Sequence, residues 1–178
     1  MQGPRIDETK AFFPVRIAVL TVSDTRDEAT DKSGDTLAER IRAAHHALAA
    51  RAIVRDEVPE IVRALKGWIA DPEIDCILTT GGTGLTGRDV TIEAVRPLFE
   101  KEIDGFAALF HLVSYETVGT STMQSRACGG IANGTFIFSL PGSPGACRDA
   151  WDNILKFQLD SRLRPCNLVE LMPRLKER

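Results

Sequence analysis

The sequence predicts an α/β protein in which a mostly parallel sheet lies between two layers of helices. Three short apolar runs rich in β-branched residues, which begin at Arg16, Ala52 and Asp75, are typical of buried strands. Segments with helical spacing of apolar residues separate these runs. Alternating strands and helices favour a three-layer α/β/α arrangement, and a late hairpin adds an antiparallel strand. We expect one domain over residues 1–178, with residues 1–14 and 168–178 as terminal extensions.

The first part of the chain predicts two strands, each followed by a helix. Arg16–Val22 and Ala52–Val54 are the strands. A polar loop, Ser23–Asp27, follows the first strand, and Asp31–Gly34 leads into the first helix. The apolar face of that helix consists of Leu37, Ile41, Ala44 and Leu48. Pro59 suits the first turn of the second helix, whose apolar side consists of Ile61, Val62, Leu65 and Trp68.

The remaining part predicts a third strand, a hairpin and three helices. Asp75–Thr80 is the third strand, and the turn residues Asn133 and Gly134 join two more strands. Ser143 and Pro144 form an N-cap and first position for the last helix. The apolar positions of the three helices are Ile92 and Val95; Phe106, Leu109, Phe110 and Val113; and Cys147, Trp151, Ile154 and Gln158.

Composition and charge exclude several functional classes. The 178 residues are 43% hydrophobic and 26% charged, and 22 basic against 25 acidic residues leave a net charge of −3. This balance is typical of a globular protein and provides no basic excess for nucleic acid. The uncharged stretch Ala127–Cys147 contains glycines and prolines that favour strands and turns over a membrane helix. With no visible signal peptide, we expect a soluble cytoplasmic protein that does not bind membranes.

The cysteines and histidines show no metal-site or disulfide spacing. The cysteines are far apart in the sequence, so we expect free thiols. His45 and His46 are predicted inside a helix, where adjacent side chains diverge and would not share a metal. His111 falls on a helix beside Phe110 and is a packing candidate.

A glycine-rich loop, Gly81–Gly84, follows the third strand and is the strongest candidate for a ligand site. Residues 82–87 match the dinucleotide pattern G-x-G-x-x-G, but they follow the third strand and no acid-ended strand comes about 20 residues later. The P-loop pattern also fails, because Arg88 and Asp89 occupy its Lys and hydroxyl positions. Consecutive glycines still suit anion binding through backbone N–H groups, and Arg88 suits a phosphate or carboxylate.

Two aspartates near this loop have both structural and functional interpretations. Asp89 suits either the N-cap of the next helix or a Mg²⁺ site completed by substrate phosphates. Asp56, after the second strand, is either a solvated acid at a helix start or a member of the same site. The hydroxyl-rich loop 120–126, which ends in Arg126, is either a polar ligand contact or a solvated connection.

The motifs together resemble one family. Ile17–Val22 with Ser23-Asp24, then Asp31-x-Ser33-Gly34, Thr80–Gly84 with Arg88-Asp89-x-Thr91, and Leu140–Pro144 are similar to the MoaB/MogA family of molybdenum cofactor biosynthesis. The resemblance spans about Arg16 to Asn167. Gly119–Thr122 with Gln124–Ala127, and Arg162-x-Arg164-Pro165-Cys166-Asn167, are most similar to the MoaB branch.

The resemblance implies a nucleotidyltransferase that acts on molybdopterin. Active members transfer AMP from ATP to the terminal phosphate of molybdopterin, with Mg²⁺, and release pyrophosphate. The family's two important acids fall on Asp56 and Asp89, the implied catalytic and metal-binding residues. The implied alternative is a non-catalytic paralogue that binds or carries molybdopterin. A nicotinamide-dependent oxidoreductase is a third interpretation, which the failed dinucleotide context disfavours.

The resemblance also implies substrate contacts and partners. It predicts homotrimers or homohexamers, with other molybdenum cofactor biosynthesis proteins as further candidate partners. Phe12, Phe13 and residues 171–173 are candidate contacts for assembly. The candidate substrate-binding residues are Ser23, Asp24, Ser33, Gly34, Thr80, Gly81, Gly82, Thr83, Gly84, Arg88, Ser125, Arg126, Pro141, Gly142, Ser143 and Pro144.

Overall fold

A computed structural model describes residues 5–177, which form one central sheet and a small two-stranded sheet. The strands are Arg5–Ile6 (β1), Arg16–Val22 (β2), Ala47–Val54 (β3), Cys76–Thr80 (β4), Lys101–Glu102 (β5), Cys128–Ala132 (β6), Thr135–Leu140 (β7) and Leu163–Arg164 (β8). The α-helices are Lys32–Ala43 (α1), Val58–Ala70 (α2), Thr91–Val95 (α3), Asp104–Val118 (α4), Pro144–Ala150 (α5) and Lys156–Gln158 (α6). A π-helical turn, Trp151–Leu155, joins α5 to α6, and 3₁₀ turns cover Arg96–Leu98, Gly119–Gln124 and Val169–Arg174.

The central sheet has the strand order β3-β2-β4-β7-β6-β5. Strands β3, β2, β4 and β7 are parallel neighbours, and β6 and β5 continue the sheet antiparallel. Asn133 and Gly134 join β6 to β7 with φ angles of 46° and 80°, which suit a two-residue hairpin turn. The predicted parallel sheet and its antiparallel hairpin are therefore confirmed.

Alternating residues of the buried strands contribute to two separate cores. Ile17 and Val19 of β2 face one core, which is covered by α1, α4 and α5. Ala18 and Leu20 face the other core, which is covered by α2 and α3. Because strands buried on both faces need apolar residues at every position, their sequences are continuous apolar runs. The two cores confirm the predicted three-layer α/β/α fold.

The junction of α1 and β3 differs from the prediction. The helix was expected to include His45, His46 and Leu48, but it ends at Ala43, and Leu48 pairs in β3 with Ile17 of β2. His45 has a left-handed φ of 62°. His46 Nδ1 accepts a hydrogen bond from the Val15 amide, 3.1 Å away. The backbone of Val15 thus pairs with this segment and ends the helix before its apolar pattern stops.

Other elements also depart from the expected pattern. Leu109 of α4 was expected in the core but is 50% exposed, while Phe106 and Phe110 are buried. Residues 119–124, expected as a loop, form a 3₁₀ helix. The π-helical turn shifts the helical register, so Leu155 is buried beside Ile154. The 168–178 extension packs on the domain through Val169 over its described part, and β1 of the other extension pairs with β8.

The cap of α5 and the cysteines agree with the sequence-based expectations. Ser143 caps α5 by accepting a hydrogen bond from the Ala146 amide, and Pro144 follows at the first position. All four cysteines, which lie within the described residues, are free. Within residues 5–177, no helix combines the length and apolar character needed to cross a membrane.

We predict that His46 makes stability depend on pH. His46 is 6% exposed, and burial lowers its pKa below the ordinary 6.5. The unfolded state therefore binds more protons just below pH 6.5, so stability is highest above that value and falls at lower pH. The slope approaches about 1.4 kcal/mol per pH unit until the lowered folded-state pKa is reached. Urea unfolding at pH 7.5 and 5.5 measures this loss.

His46→Gln should make this pH-dependent loss of stability much smaller. His45→Asn is the matched control, because Asn tolerates the left-handed conformation at this exposed position. In this control the loss of stability between pH 7.5 and 5.5 should be nearly as large as in the wild type. Equal pH dependence in His46→Gln and the wild type would contradict the assignment.

Candidate functional site

The loops after β2, β3, β4 and β7 meet at one edge of the sheet. These strands are parallel, so their carboxyl ends lie together, where α/β proteins commonly bind ligands. The loop after β2 begins with a hydrogen bond from the Ser23 amide to the Val54 carbonyl at the end of β3. The loop after β4 begins with one from the Gly81 amide to the Leu140 carbonyl of β7. The predicted clustering of four loops is confirmed.

Gly81 permits a close approach of three strand ends. Its φ is 101°, and a Cβ at this position would overlap the carbonyl oxygen of Val22. On the other side, a Cβ at Gly142 would lie 3.1 Å from the Gly81 Cα. Gly81 therefore requires glycine both for space and for its backbone conformation, and Gly142 lies tightly against it.

The β7 loop, Pro141–Pro144, is held by side chains from other elements. The Thr80 hydroxyl donates to the Pro141 carbonyl over 2.9 Å. The Gly142 carbonyl accepts hydrogen bonds from the Ser33 hydroxyl at 2.8 Å and from Arg26 Nη2 at 2.7 Å. Ser33 and Thr80 therefore fix the loop that was predicted to contact substrate.

The start of α1, which carries Ser33, is fixed by buried Asp31. The Asp31 carboxylate accepts hydrogen bonds from the Gly34 amide, the Thr21 hydroxyl and Arg51 Nη2 at 3.0, 2.7 and 2.8 Å. Burial opposes the charge of Asp31, but these donors and Arg51 outweigh it and lower its pKa. A Cβ at Gly34 would collide with the Asp31 carboxylate, so Gly34 acts here through its small size and its amide.

Asp56 lies against the glycine loop. A Cβ at Gly82 would be 2.7 Å from Asp56 Oδ1, so the missing side chain of Gly82 provides room for the carboxylate. Partial burial, followed by the nearby charge of Asp24, raises the pKa of Asp56. Asp56 does not cap α2, whose N-cap residue is Glu57. Its environment differs from that of an ordinary solvated acid.

Asp89 lies against the same loop at Gly84, two residues after Gly82. A Cβ at Gly84 would be 2.8 Å from Asp89 Oδ2. That oxygen accepts hydrogen bonds from the hydroxyl and amide of Thr86 at 2.6 and 2.8 Å, which lower the pKa of Asp89. The alternative that Asp89 caps the next helix is wrong, because Val90 is the N-cap residue of α3.

Arg88 lies between carboxylates of two other loops. Its guanidinium donates to both carboxylate oxygens of Asp24 and to Glu57 Oε1, with shortest separations of 2.8 and 3.0 Å. Hydrogen bonds from Arg88 lower the pKa of Asp24. Asp24 Oδ1 also accepts a hydrogen bond from the Asp56 amide over 3.2 Å. The Arg88 side chain remains 58% exposed, so it is accessible to an anion at the edge.

The remaining candidates have local roles in this structure. The Ser23 hydroxyl accepts hydrogen bonds from the amides of Thr25 and Arg26, each 3.2 Å away. Ser125 is partly exposed, and its amide donates to the Thr122 carbonyl. Arg126 donates to the carbonyls of Gly84 and Asp89 and pairs with Glu93 of α3. Ser23 and Arg126 thus shape the loops around the site.

The geometry also bears on the dinucleotide pattern at residues 82–87 and on the helix that follows it. In the dinucleotide pattern the third glycine allows a helix to pack closely on a strand. A Cβ at Gly87, which holds that position, would meet no atom within 4 Å. The next helix, α3, begins only at Thr91 and has five residues, so the expected contribution of its positive end to the loop is small. The glycine loop itself, rather than a helix terminus, provides the amides at this edge.

Residues 18–161 match the family described as probable molybdopterin binding domain. The chain belongs to this family. Molybdenum cofactor biosynthesis protein B of Escherichia coli strain K12 is 49% identical over 156 residues, which cover 88% of this chain and 92% of the relative. Membership of the family connects the chain with molybdenum cofactor biosynthesis.

Solved structures of this family share the fold. A crystal structure of molybdenum cofactor biosynthesis protein B has a TM-score of 0.82 and 45% identity, covering 84% of this chain and 94% of that chain. The tungsten cofactor synthesizing protein MoaB from Pyrococcus furiosus has a TM-score of 0.71 and 38% identity, covering 80% of this chain and 91% of the other. The resemblance to the MoaB branch is thereby confirmed.

The donor set is suitable for Mg²⁺ only together with a ligand. Within the described residues 5–177, no group of three or more His, Cys, Asp or Glu side chains is arranged to hold a metal by itself. Asp56 and Asp89 nevertheless flank one loop, and Mg²⁺ is commonly held by one or two carboxylates plus substrate phosphates. The residues present therefore fit a shared metal–phosphate site.

Several residues that shape the site were missed by the sequence reasoning. Arg26 holds Gly142, and Glu57 holds Arg88. Thr91 fixes the glycine loop through its hydroxyl, which donates to the Gly81 carbonyl, and through its amide, which donates to the Gly82 carbonyl. Thr91 was visible within the Arg88-Asp89-x-Thr91 motif, whereas the partners of Arg26 and Glu57 lie on distant loops.

We predict that Gly81→Ala destabilises the fold while Gly87→Ala does not. The Gly81 φ of 101° and the overlap with Val22 should cost about 3 kcal/mol or more in unfolding free energy. Gly87 has open space, so its replacement should change stability by less than about 0.5 kcal/mol. Urea unfolding of both variants measures the difference. Equal stability of the two variants would contradict the close-approach argument.

Proposed function

We propose that this protein acts in molybdenum cofactor biosynthesis by transferring AMP from ATP to the terminal phosphate of molybdopterin, with Mg²⁺. A phosphate oxygen of molybdopterin forms a bond to the α-phosphorus of ATP, and the bond to the leaving pyrophosphate breaks. The observation that carries this proposal is the placement of Asp56 and Asp89 against Gly82 and Gly84 of one loop. Carboxylates beside a phosphate-binding loop are what a metal-assisted phosphoryl transfer needs.

The glycine loop is suited to bind phosphate oxygens. The amides of Gly82 and Thr83 have no hydrogen-bond acceptor among the described residues. Neighbouring N–H groups in such a loop form a concave anion site. Arg88, exposed at the same edge, provides a guanidinium for a further phosphate oxygen. Together these groups position the reacting phosphates, which contributes much of the catalysis in such transfers.

Asp56 and Asp89 would hold the metal ion. Bound Mg²⁺ would offset the negative charge that develops on the leaving pyrophosphate. The attacking phosphate is already anionic, so the reaction needs no strong general base. Two of the histidines have other partners: His46 accepts a hydrogen bond from the Val15 amide, and His111 of α4 contacts the Thr122 hydroxyl at 2.9 Å.

The pterin end of molybdopterin is assigned to the β7 loop. Pro141–Pro144 lies beside the glycine loop through the Gly81–Gly142 contact. Ser125 and Ser23 are polar candidates on neighbouring loops. The alternative function, binding or carrying molybdopterin without AMP transfer, uses the same loops but leaves Asp89 without a catalytic role.

The decisive experiment is a turnover assay with purified protein, molybdopterin, ATP and Mg²⁺. We expect adenylylated molybdopterin and pyrophosphate in equal amounts. Asp89→Asn should lower kcat by about 100-fold or more while molybdopterin binding persists, because the variant loses a metal-binding charge. Asp71→Asn, at the end of α2, is the matched control and should retain wild-type turnover.

Two outcomes would overturn the proposal. Molybdopterin binding without Mg²⁺-dependent product in the wild type would make the protein a carrier. Full turnover in Asp89→Asn would remove the metal-binding role of Asp89.

We also propose that the exposed apolar face of α4 is covered by other copies of the chain in a homotrimer or in a homohexamer built from trimers. Leu109, Leu112, Tyr115 and Val118 recur every three residues and are each at least 50% exposed. A contiguous apolar stripe of this kind is typical of an interface. Phe13 and Leu171, the other candidate contacts, are also exposed, whereas Phe12 packs on His46.

We predict that Leu112→Lys converts the assembly to monomers. Burying a lysine charge in an apolar interface is unfavourable, and Leu112 is 62% exposed in the single chain, so its fold should tolerate the change. Sedimentation velocity measures the oligomeric state. Leu171→Lys is the matched change at the other candidate contact. A monomer from Leu171→Lys but not from Leu112→Lys would move the interface to the carboxyl-terminal segment.

A further inference from the structure

The carbonyl groups of the glycine loop are held by two residues. Thr91 donates to the first two: its hydroxyl to Gly81 at 2.8 Å and its amide to Gly82 at 2.9 Å. Arg126 donates to the next two: its amide to Thr83 at 3.1 Å and its Nε to Gly84 at 2.8 Å. Four consecutive carbonyl groups of the loop are therefore satisfied by only two residues.

The held carbonyls fix the direction of the loop amides. In a trans peptide, the N–H group of each residue points opposite to the preceding C=O group. The contacts of Thr91 thus orient the amides of Gly82 and Thr83, and the contacts of Arg126 orient those of Gly84 and Leu85. Arg126 makes a further contact, from Nη2 to the Asp89 carbonyl at 2.8 Å. It therefore also positions the backbone that carries the Asp89 carboxylate.

The Arg126 guanidinium uses four of its five N–H groups on protein acceptors within residues 5–177, and one N–H group of Nη1 remains. In addition to the three carbonyls, its Nη1 and Nη2 pair with the two carboxylate oxygens of Glu93 on α3. Its side chain is 29% exposed, compared with 58% for Arg88. A bidentate contact with a phosphate would therefore have to displace Glu93 or a backbone carbonyl.

We infer that Arg126 is a positioning residue that orients the amides of the glycine loop and the Asp89 carboxylate, rather than a ligand for a substrate phosphate. This inference rests on the proposed function for its effect on catalysis. Its effect on the loop is independent of that function, because all its contacts are within the chain.

The first test measures the loop without any ligand. Backbone order parameters of Gly84 and Leu85, from ¹⁵N relaxation, should be near about 0.85 in the wild type and fall toward about 0.6 in Arg126→Gln. Glu93→Gln, which retains the carbonyl contacts but loses the ion pair, should give a smaller decrease. Arg96→Gln is the matched control, because Arg96 pairs with Glu102 and should leave the loop unchanged. Unchanged order parameters in Arg126→Gln would overturn the inference.

The second test separates positioning from anion binding through kinetics. Misplaced loop amides should lower kcat by about 100-fold in Arg126→Gln, with KM for ATP and molybdopterin changed much less. Arg126→Lys keeps the charge but loses the planar guanidinium, so it should restore little activity. A raised KM at unchanged kcat, with rescue by Arg126→Lys, would show instead that Arg126 binds substrate. If Arg126→Gln does not fold, Arg126→Lys and Glu93→Gln provide both readouts.

An inactive wild type whose loop still loosens in Arg126→Gln would reject the proposed function while supporting the role of Arg126. An active wild type whose loop order is unchanged in Arg126→Gln would support the proposed function and reject the role of Arg126. The two failures are therefore distinguishable.

Discussion

The backbone contact among the ends of β2, β4 and β7 is the constraint on which the rest of the site depends. At Gly81 the chain passes so close to Val22 and Gly142 that no side chain fits. Because the contact joins backbones, small side-chain movements cannot relieve it. It fixes where the glycine loop begins relative to the β7 loop, and Asp56 and Asp89 lie against that glycine loop. Thr80 and Ser33 then hold the β7 loop through its carbonyls.

Charged groups around this contact have two distinct roles. Asp31 with Arg51, and Arg126 with Glu93, satisfy buried or partly buried backbone groups and so maintain loop shape. Arg88 with Asp24 lies at the exposed rim, where solvent weakens the pair and exchange for a ligand is inexpensive in free energy. Charged residues therefore hold the backbone in place where they are buried, and they are accessible to a ligand where they are exposed.

The sequence was informative where a local pattern decides the outcome. The central strands, the Asn133 turn and the Ser143 cap follow from their own residues. It was wrong where a distant segment decides the structure. The helix ends early because Val15 pairs with His46 and Ala47, and Leu48 pairs with Ile17. Leu109 faces outward although its spacing suits the core. In the site, the sequence located the glycine loop and both aspartates. The partners of Arg88 and Arg126 belong to elements distant in the sequence, which spacing does not connect.

The mixture of acids at the site edge has a consequence for how an anion arrives. Asp24 and Glu57 pair with Arg88, and the charges of Asp24 and Asp89 act on Asp56, so several carboxylates lie together at this edge. A polyphosphate that arrived without its counterion would meet repulsion, whereas the same molecule carrying a divalent cation would be attracted. These carboxylates should therefore favour a polyphosphate that already carries a metal ion. The apparent affinity for a polyphosphate should follow the concentration of its metal complex rather than the total concentration of the anion.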